Sequence, residues 1–374
     1  MSDAFLPYGR QQIDDDDIAA VVAVLRGDWL TTGPKIGEFE AEFAQFCGTR
    51  EAVAVSSGTA ALHCLYHGAG IGAGDEVIVP AMTFAATANA ALYCGATPVF
   101  ADVEADTLLI DPQSVEQKIT PRTKAIVAVD YAGQPANYRA LREIATKSGL
   151  MLFADACHAL GGIYQGEKVG SIADASTFSL HPVKPMTTGE GGMITTDNAE
   201  LATKMRVFRN HGITSDHRSR EKASSWFYEM VELGFNYRLS DISCALGLSQ
   251  LEKVRGWTEK RQKIAALYDA AFEKMPHVRP LKKRGDGAHA YHLYVVRVAN
   301  RAQVFAHLRA QKIGVNVHYV PVYLHPFYQE QGFESGACPV AEAAYEEILS
   351  LPIFPAMNEK DVARVVKSLE EICQ

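Results

Sequence analysis

The sequence predicts an α/β fold, and its apolar pattern is the main reason. From about residue 50 to residue 200, short apolar runs alternate with stretches of helical periodicity. Each apolar run is bounded by turn residues such as Gly, Pro, Asp and Ser. Buried parallel strands that are joined by helices produce this pattern, because such strands are covered on both faces and contain few polar residues.

The predicted elements follow one another in regular order. In sequence order they are a strand at Ala52–Val55, a helix at Thr59–Tyr66, a strand at Glu76–Val79, a helix at Thr87–Cys94, and strands at Thr97–Phe100, Ala125–Val129 and Met151–Ala154. Ahead of them, the four aspartates Asp14–Asp17 precede the apolar run Ile18–Leu25. Carboxylates suit the positive N-terminal end of a helix dipole, so we expect a solvated helix cap here and not a metal site.

The C-terminal part predicts a second, smaller α/β unit. A long predicted helix starts at Ile242 and continues past Gly256 toward Phe272. This helix carries the chain out of the first unit. The remaining predicted elements are strands at His292–Val298 and Val315–Val320 and helices at Val304–Gln311 and Asp361–Ile372. We therefore expect a large domain over residues 1–248 and a small domain over residues 249–374.

Composition limits the classes of function. The 374 residues carry a net charge of −8, which gives no general electrostatic reason to bind nucleic acid or an anionic membrane. No apolar run approaches the roughly 20 residues of a membrane span, and the N-terminus lacks the pattern of a secretory signal. The seven cysteines are scattered without C-x-x-C spacing, so we expect reduced thiols, no metal centre and a cytoplasmic location.

The segment from Ser176 to Met193 contains the most informative residue, Lys184. It lies in a His-Pro-Val-Lys-Pro turn between an apolar run and a glycine-rich turn. Schiff-base chemistry requires a neutral amine, and burial inside an α/β core disfavours the charge of a lysine. A solvent-exposed loop lysine is the ordinary alternative, because lysine is rarely buried.

Asp155 and His158 follow the predicted strand that ends at Ala154. Ligands of open α/β sheets bind at the carboxyl ends of the strands, and a carboxylate there can keep the ring nitrogen of a pyridine cofactor protonated. The alternative for Asp155 is a helix N-cap. His158 could stack near Asp155 or hydrogen-bond to it, and an interior histidine with satisfied hydrogen bonds is the alternative.

Three further places suit a phosphate and a flat ring. Ser56–Ala61 joins a strand end to a helix start, where Gly58 and Thr59 offer free backbone N–H groups to a phosphate. Ser179, shortly before the lysine, is a second candidate phosphate donor. Phe84 follows another strand end and could stack on a cofactor ring, with core packing as the alternative.

The order of these residues along the chain is more informative than any one of them. A strand-end Gly-Thr turn, an aromatic residue, a strand-end aspartate, a serine and a lysine follow one another. With the surrounding segments, the chain resembles the DegT/DnrJ/EryC1/StrS family of nucleotide-sugar aminotransferases over nearly its whole length. The segments that carry the resemblance are Leu30–Gly33, Ser57–Ala60, Pro80–Phe84, Asp155–Gly161, Ser179–Lys184, Gly189–Gly192, Gly234–Arg238 and Val317–Pro321.

The resemblance implies a fold and a cofactor. The fold is that of aspartate aminotransferase (fold type I), with a large domain around a mixed, mostly parallel sheet and a smaller C-terminal α/β domain. The cofactor is pyridoxal 5'-phosphate (PLP), bound covalently by Lys184 and paired at its ring nitrogen with Asp155. The other implied cofactor contacts are Gly58, Thr59, Phe84, His158, Ser179 and, across a homodimer interface, Asn236 of the partner subunit.

The resemblance also implies the substrates. Val129–Gly133, Ala245–Leu251 and Tyr291–Tyr294 are similar to the aminotransferases of pseudaminic acid biosynthesis. This implies transfer of the amino group of L-glutamate to C4 of a UDP-linked 4-keto-6-deoxy-N-acetylhexosamine. The residues expected to line the nucleotide-sugar site are Tyr8, Asp28, Trp29, Leu30, Thr31, Asn316, Val317, His318 and Tyr319.

The last group also has an interpretation from its chemistry alone. Asn316, His318 and Tyr319 offer hydrogen bonds to a diphosphate or to a sugar. A strand with alternating faces would contain the same residues, so the local sequence leaves both interpretations open.

Three alternative functions stay open. Related sugar dehydratases use the same cofactor but carry histidine at the position of Lys184, which argues against that branch. A non-catalytic regulator could keep the fold, although Lys184, Asp155 and Asn236 are intact. A C4 aminotransferase for another nucleotide sugar, such as a perosamine or 4-amino-arabinose precursor, is the third alternative.

Overall fold

The computed structural model describes residues 4–215, 220 and 224–373. Its strands are, in chain order, β1 (Glu51–Val55), β2 (Glu76–Pro80), β3 (Thr97–Ala101), β4 (Thr123–Val129), β5 (Met151–Asp155), β6 (Ile163–Tyr164), β7 (Glu167–Lys168), β8 (Ala175–Ser179), β9 (Gly192–Thr196), β10 (Val278–Pro280), β11 (Gly287–Ala288), β12 (Tyr294–Val298) and β13 (Ile348–Leu351). Its α-helices are α1 (Asp15–Leu25), α2 (Pro34–Cys47), α3 (Gly58–Gly68), α4 (Ala86–Tyr93), α5 (Pro112–Lys118), α6 (Tyr138–Ser148), α7 (Ala199–Phe208), α8 (Asp241–Phe272), α9 (Arg301–Ala310), α10 (Pro326–Glu330), α11 (Pro339–Glu347) and α12 (Glu359–Ile372).

The main sheet contains seven strands in the order β1-β9-β8-β5-β4-β2-β3. Strand β9 runs antiparallel to both of its neighbours, and the other neighbouring pairs are parallel. The predicted α/β class with a mixed, mostly parallel sheet is therefore confirmed. Because β2, β5 and β8 point the same way, the residues that follow them meet at one edge of the sheet.

Helices cover both faces of this sheet. Val53 and Val55 of β1 enter the core on one face, where α3, α4 and α7 pack, while Ala52 and Ala54 enter the core on the other face with α2 and α6. This burial on two sides explains why the strands are apolar at successive positions. It is the same pattern from which the sequence predicts parallel strands.

Helix α8 connects the main sheet to a smaller unit. Leu251, in its first half, belongs to a core of the main sheet, while Phe272 belongs to a separate core around the three-stranded sheet β10-β12-β13. Between them, buried Arg261 donates to the carbonyl oxygen of Ile353 at 2.8 Å. The predicted domain boundary after residue 248 falls inside α8 and stays a prediction.

The aspartates at the start of α1 differ in part from the expectation. Asp14 caps the helix, as predicted, and accepts a hydrogen bond from the backbone N–H of Asp17 at 3.2 Å. The side chain of Asp17, however, is fully buried. Lys253 and Gln250 of α8 donate to its carboxylate at 2.8 and 2.6 Å, so this cluster attaches α1 to the long helix.

The predicted strand Val315–Val320 is wrong. Within the described residues, this segment pairs only through an isolated bridge between Asn316 and Ser350 of β13. Its side chains instead make hydrogen bonds to both units of the chain, and these contacts take the place of a regular ladder.

Candidate active site

The predicted catalytic residues lie at the carboxyl edge of the main sheet. Asp155 is the last residue of β5, and Lys184 follows β8. These strands are parallel neighbours, with Asp155 opposite Thr177 in the register. The structure therefore brings the aspartate and the lysine to adjacent strand ends, although they are far apart in sequence.

Hydrogen bonds orient the carboxylate of Asp155. Thr87, in the first turn of α4, donates through its hydroxyl to Oδ2 at 2.7 Å, and the backbone N–H of Cys157 donates to Oδ1 at 3.2 Å. The hydroxyl of Thr83 lies 2.7 Å from that of Thr87 and continues the network. Asp155 is buried, so these donors hold it in one orientation within a site from which water is largely excluded.

The environment of Lys184 suits a neutral amine. Burial lowers the pKa of its amine, while the nearby Cys157 thiol and Asp155 carboxyl group oppose this shift. The backbone N–H of Lys184 donates to the carbonyl oxygen of His181 at 2.9 Å, which closes the turn. The lysine is therefore held near the sheet edge and is not a solvent-exposed loop residue.

The predicted phosphate-binding residues are also brought together. Ser57 caps α3, so Gly58 and Thr59 lie in its first turn, where backbone N–H groups have no partner within the helix. A Cβ atom at Gly58 would lie only 2.9 Å from the Cβ of Ser179 at the end of β8. A helix start, a close backbone approach and a hydroxyl thus form a cradle that fits a phosphate group.

His158 and Phe84 both contact Tyr319. The His158 Nε2 atom lies 3.0 Å from the Tyr319 hydroxyl, whereas its buried Nδ1 atom has no hydrogen-bond partner in the described residues. The Phe84 ring centroid lies 6.0 Å from that of Tyr319. Phe84 is 59% exposed, so core packing does not explain it, and its ring is accessible to a flat ligand.

The segment Asn316–Tyr319 is anchored to the large unit next to these residues. The Tyr131 hydroxyl donates to the carbonyl oxygen of His318, and the backbone N–H of Tyr319 approaches Met82 Sδ at 3.2 Å. Tyr8 packs beside this segment, with its ring centroid 5.5 Å from that of His318. Five of the predicted substrate residues, Tyr8 and Asn316–Tyr319, therefore lie beside the predicted cofactor residues.

The ring of His318 is held on both sides. Its Nδ1 atom lies 2.8 Å from the Ser350 hydroxyl, and its Nε2 atom lies 3.3 Å from the Asn316 amide nitrogen. Burial and the nearby charge of Lys184 lower the pKa of His318 to about 4. Val317, between them, is partly buried against the cores of both units.

The remaining predicted residues lie around the start of α8. The carbonyl oxygen of Leu30 accepts from the backbone N–H of Asp241 at 3.0 Å, and Thr31 bridges to Ser240. Asp28, Leu30 and Thr31 are exposed, and Trp29 is half-buried. Asn236 is also exposed and bridges to Asn210.

Thr87, Tyr131 and Ser350 are site residues that the sequence reasoning missed. Thr87 is three residues after Phe84 and lies in the first turn of the helix that follows β2, which is a signal that could have identified it. Tyr131 and Ser350 act through partners that are distant in sequence, so no local pattern indicates them. The described part of the chain contains no group of three or more His, Cys, Asp or Glu that could hold a metal ion.

Comparisons with known proteins show the family of this chain. The model of the DegT/DnrJ/EryC1/StrS aminotransferase family matches residues 11–370. The chain is 41% identical over 377 residues to the spore coat polysaccharide biosynthesis protein SpsC of Bacillus subtilis, covering 98% of this chain and 97% of SpsC.

The chain is also similar to solved structures of aminotransferases over nearly its whole length. PseC of Helicobacter pylori, an aminotransferase involved in pseudaminic acid biosynthesis, is 35% identical, has a TM-score of 0.93 and matches over 99% of both chains. The PLP form of Spr1654 from Streptococcus pneumoniae is 32% identical with a TM-score of 0.93, covering 99% of this chain and 98% of that one.

The fold and the site define a PLP-dependent sugar aminotransferase of fold type I. The chain belongs to the DegT/DnrJ/EryC1/StrS aminotransferase family. The predicted family, fold type and cofactor are confirmed. Among the described residues, no helix is both long and apolar enough to cross a membrane.

Proposed function

We propose that this enzyme transfers the amino group of L-glutamate to C4 of a UDP-linked 4-keto-6-deoxy-N-acetylhexosamine, in the biosynthesis of a pseudaminic-acid-type glycan. The main support is the pair formed by Asp155 and Lys184 at neighbouring strand ends, with the pKa of the lysine amine lowered by burial. The similarity to PseC supports the choice of sugar. A cytoplasmic location stays a prediction.

The residues present fit PLP. When bound, PLP supplies an electrophilic aldehyde and a ring that accepts electrons. Lys184 would hold the aldehyde end, Asp155 the ring nitrogen, and Gly58, Thr59 and Ser179 the phosphate. His158 and Phe84 border the same space through their contacts with Tyr319.

Lys184 would also move the proton. Its amine is held close to the sheet edge and is easier to deprotonate than a free lysine, so it can accept a proton from Cα of the amino donor. General acid–base catalysis of this kind contributes roughly 10²–10⁴-fold in rate. Thr87 keeps the Asp155 carboxylate in position during this transfer.

The nucleotide sugar would bind in the site that is formed by Tyr8, Asn316, Val317, His318 and Tyr319. This proposal is supported by the bonds from Tyr131 and His158 to the 316–319 segment and by the packing of Tyr8 against His318. A polar segment of this kind next to the reacting groups can fix the orientation of a substrate before the chemical step.

The Asp28–Thr31 segment and Asn236 would complete the site across a homodimer. Trp226 and Leu233, in the segment before Asn236, are 87% and 80% exposed. A run of large apolar side chains on the surface is typical of an interface between protein chains. We propose a second copy as the partner, because Asn236 then adds a side chain to the other subunit's phosphate cradle.

A second candidate is a C4 aminotransferase for a different nucleotide sugar. The similarity to SpsC, at 41% identity, favours a role in another surface polysaccharide. The two candidates use the same cofactor chemistry and differ only in the sugar that the 316–319 segment and its partner subunit would accept.

The decisive experiment incubates the PLP-loaded enzyme with glutamate and a panel of 4-keto nucleotide sugars. Products are identified by mass spectrometry and NMR, and 2-oxoglutarate is measured in parallel. A 4-amino sugar formed with one equivalent of 2-oxoglutarate supports the proposal, and the preferred sugar decides between the two candidates. A deoxysugar without nitrogen would instead indicate a dehydratase, and absence of any product with every sugar would indicate a non-catalytic protein.

A further inference from the structure

We propose that Ser350 is a positioning residue that holds the substrate segment through a chain of hydrogen bonds to His318 and Asn316. In this chain His318 is an uncharged support for the segment and for the neighbouring Tyr8. This inference rests on the proposed function, because it takes Tyr8 and Asn316–Tyr319 as the nucleotide-sugar site.

The donor and acceptor roles in these hydrogen bonds follow from the orientation of the Asn316 amide. The backbone N–H of Val317 donates to Asn316 Oδ1 at 2.8 Å, and only the oxygen of an amide can accept this bond. The amide nitrogen is therefore the atom that lies 3.3 Å from His318 Nε2. An amide nitrogen only donates, so Nε2 of His318 accepts and carries no proton.

The same reasoning determines the proton on the other side of the imidazole. A neutral histidine with an accepting Nε2 has its proton on Nδ1. That N–H donates to the Ser350 hydroxyl oxygen at 2.8 Å. Because burial lowers the pKa of His318 to about 4, the ring is uncharged at neutral pH. Both ring nitrogens are occupied, so His318 supplies neither a charge nor a free donor to a diphosphate.

Tyr8 lies beside this chain of hydrogen bonds. Its ring centroid is 5.5 Å from that of His318, and burial raises the pKa of its phenol, which keeps the phenol protonated. A phenol O–H that can donate to a phosphate or a sugar hydroxyl is therefore next to the segment that Ser350 holds.

Ser350 can hold this chain in place because it is itself immobile. It is fully buried in β13 and pairs with Val295 of β12. Its backbone N–H donates to the Asn316 carbonyl oxygen at 2.8 Å, and its own carbonyl oxygen accepts from the Asn316 N–H at 3.3 Å. Ser350 therefore contacts the substrate segment through both its backbone and its hydroxyl.

The test compares Ser350→Ala with Ser368→Ala. Ser368 is a matched control, because it is also buried in the small unit, and its hydroxyl has no hydrogen-bond partner in the described residues. We expect Ser350→Ala to raise KM for the nucleotide sugar roughly tenfold, which equals about 1.4 kcal/mol. The glutamate half-reaction, followed by the cofactor spectrum, should stay within about twofold, as it should for Ser368→Ala in both assays.

Coupling to His318 is tested by the double variant His318→Phe/Ser350→Ala. If Ser350 acts through the His318 ring, the two losses in nucleotide-sugar affinity are not additive, and His318→Phe conceals most of the effect of Ser350→Ala. Additive losses would overturn the chain. Should Ser350→Ala fail to fold, Ser350→Cys, which keeps a weaker acceptor, replaces it in the same cycle.

A substrate-free measurement separates this inference from the proposed function. In ¹⁵N-histidine NMR of the PLP-loaded enzyme, the His318 signals, assigned by their loss in His318→Asn, should show protonation at Nδ1 alone at pH 7. Protonation at Nε2, or at both nitrogens, would contradict the inference. The Nδ1 form in an enzyme that aminates no keto sugar would support the tautomer while refuting the proposed function.

Discussion

The Thr87 hydroxyl donates a 2.7 Å hydrogen bond to Oδ2 of Asp155. Thr87 comes from the first turn of α4 and Asp155 from the end of β5, and both side chains are buried. The bond connects the carboxylate to the helix that follows Phe84. The orientation of the residue that would hold the cofactor ring therefore depends on a neighbouring element and not on β5 alone.

Replacing Thr87 with valine should weaken catalysis while leaving the fold intact. Valine keeps the shape but removes the donor to the carboxylate, and hydrogen bonds to charged groups are worth about 1.5–3 kcal/mol. We expect the rate of the glutamate half-reaction to fall roughly ten- to hundredfold in single-turnover spectroscopy. Thr195→Val is the control, since buried Thr195 donates to the Gly170 carbonyl oxygen at 2.8 Å away from this site. Equal rates in both variants would contradict the role of Thr87.

Lys184→Ala should abolish turnover and the visible absorbance of the lysine-bound cofactor. Alanine has no amine that could bind the aldehyde of PLP or accept the Cα proton. Both signals are measured on the same preparation after reconstitution with PLP. Lys204→Ala, at an exposed position on α7, should keep both. Retained activity in Lys184→Ala would refute the assignment of the catalytic amine.

A methyl group at Gly58 should reduce cofactor affinity. In Gly58→Ala the new Cβ would lie 2.9 Å from the Cβ of Ser179, so one wall of the phosphate cradle must move. We expect weaker retention of PLP on dialysis and a higher dissociation constant by fluorescence titration. The control is Gly256→Ala, where the Cβ meets no atom within 4 Å and the helix should gain about 1 kcal/mol. Unchanged PLP affinity in Gly58→Ala would argue against the cradle.

Complementation between inactive variants tests the homodimer. If Asn236 serves the partner's site, a heterodimer of Lys184→Ala and Asn236→Ala subunits contains one complete site, so mixing and refolding the two should restore activity. A mixture of Lys184→Ala with Asp155→Ala should stay inactive, because these residues belong to one chain's site. Gel filtration follows the oligomeric state, and an active monomer would exclude the shared site.

Acid should destabilise the enzyme partly through His63. Burial, and secondarily the charge of His67, lowers the pKa of His63 to about 4, whereas an unfolded histidine titrates near about 6.5. Between these values the unfolded chain binds more protons, so stability falls as pH decreases.

Guanidinium unfolding at pH 7 and pH 5 measures this contribution. His63→Gln should lose less stability than the wild type over that interval, while exposed His277→Gln should behave like the wild type. Equal pH dependence in all three proteins would show that folding does not lower the pKa of His63.

The positions of Lys184, Asp155 and Gly58 at one edge of the sheet could be predicted from the sequence, because each residue lies at or soon after the end of a buried strand. Parallel strands end at one edge of a sheet, so a one-dimensional pattern places such residues together. Ser350 and Tyr131 could not be found in this way, since each contributes through a partner on another element. The error at Val315–Val320 has the same origin: alternating residues suggested a strand, but contacts with both units determine the local conformation.

The 32 residues of α8 run without interruption from the core of the main sheet to that of the smaller one. Neither unit can lose its packing without exposing part of the same helix, and Arg261 joins the middle of that helix to the chain beyond β13. Unfolding of one unit should therefore destabilise the other, and a protease should not release either half as a stable fragment.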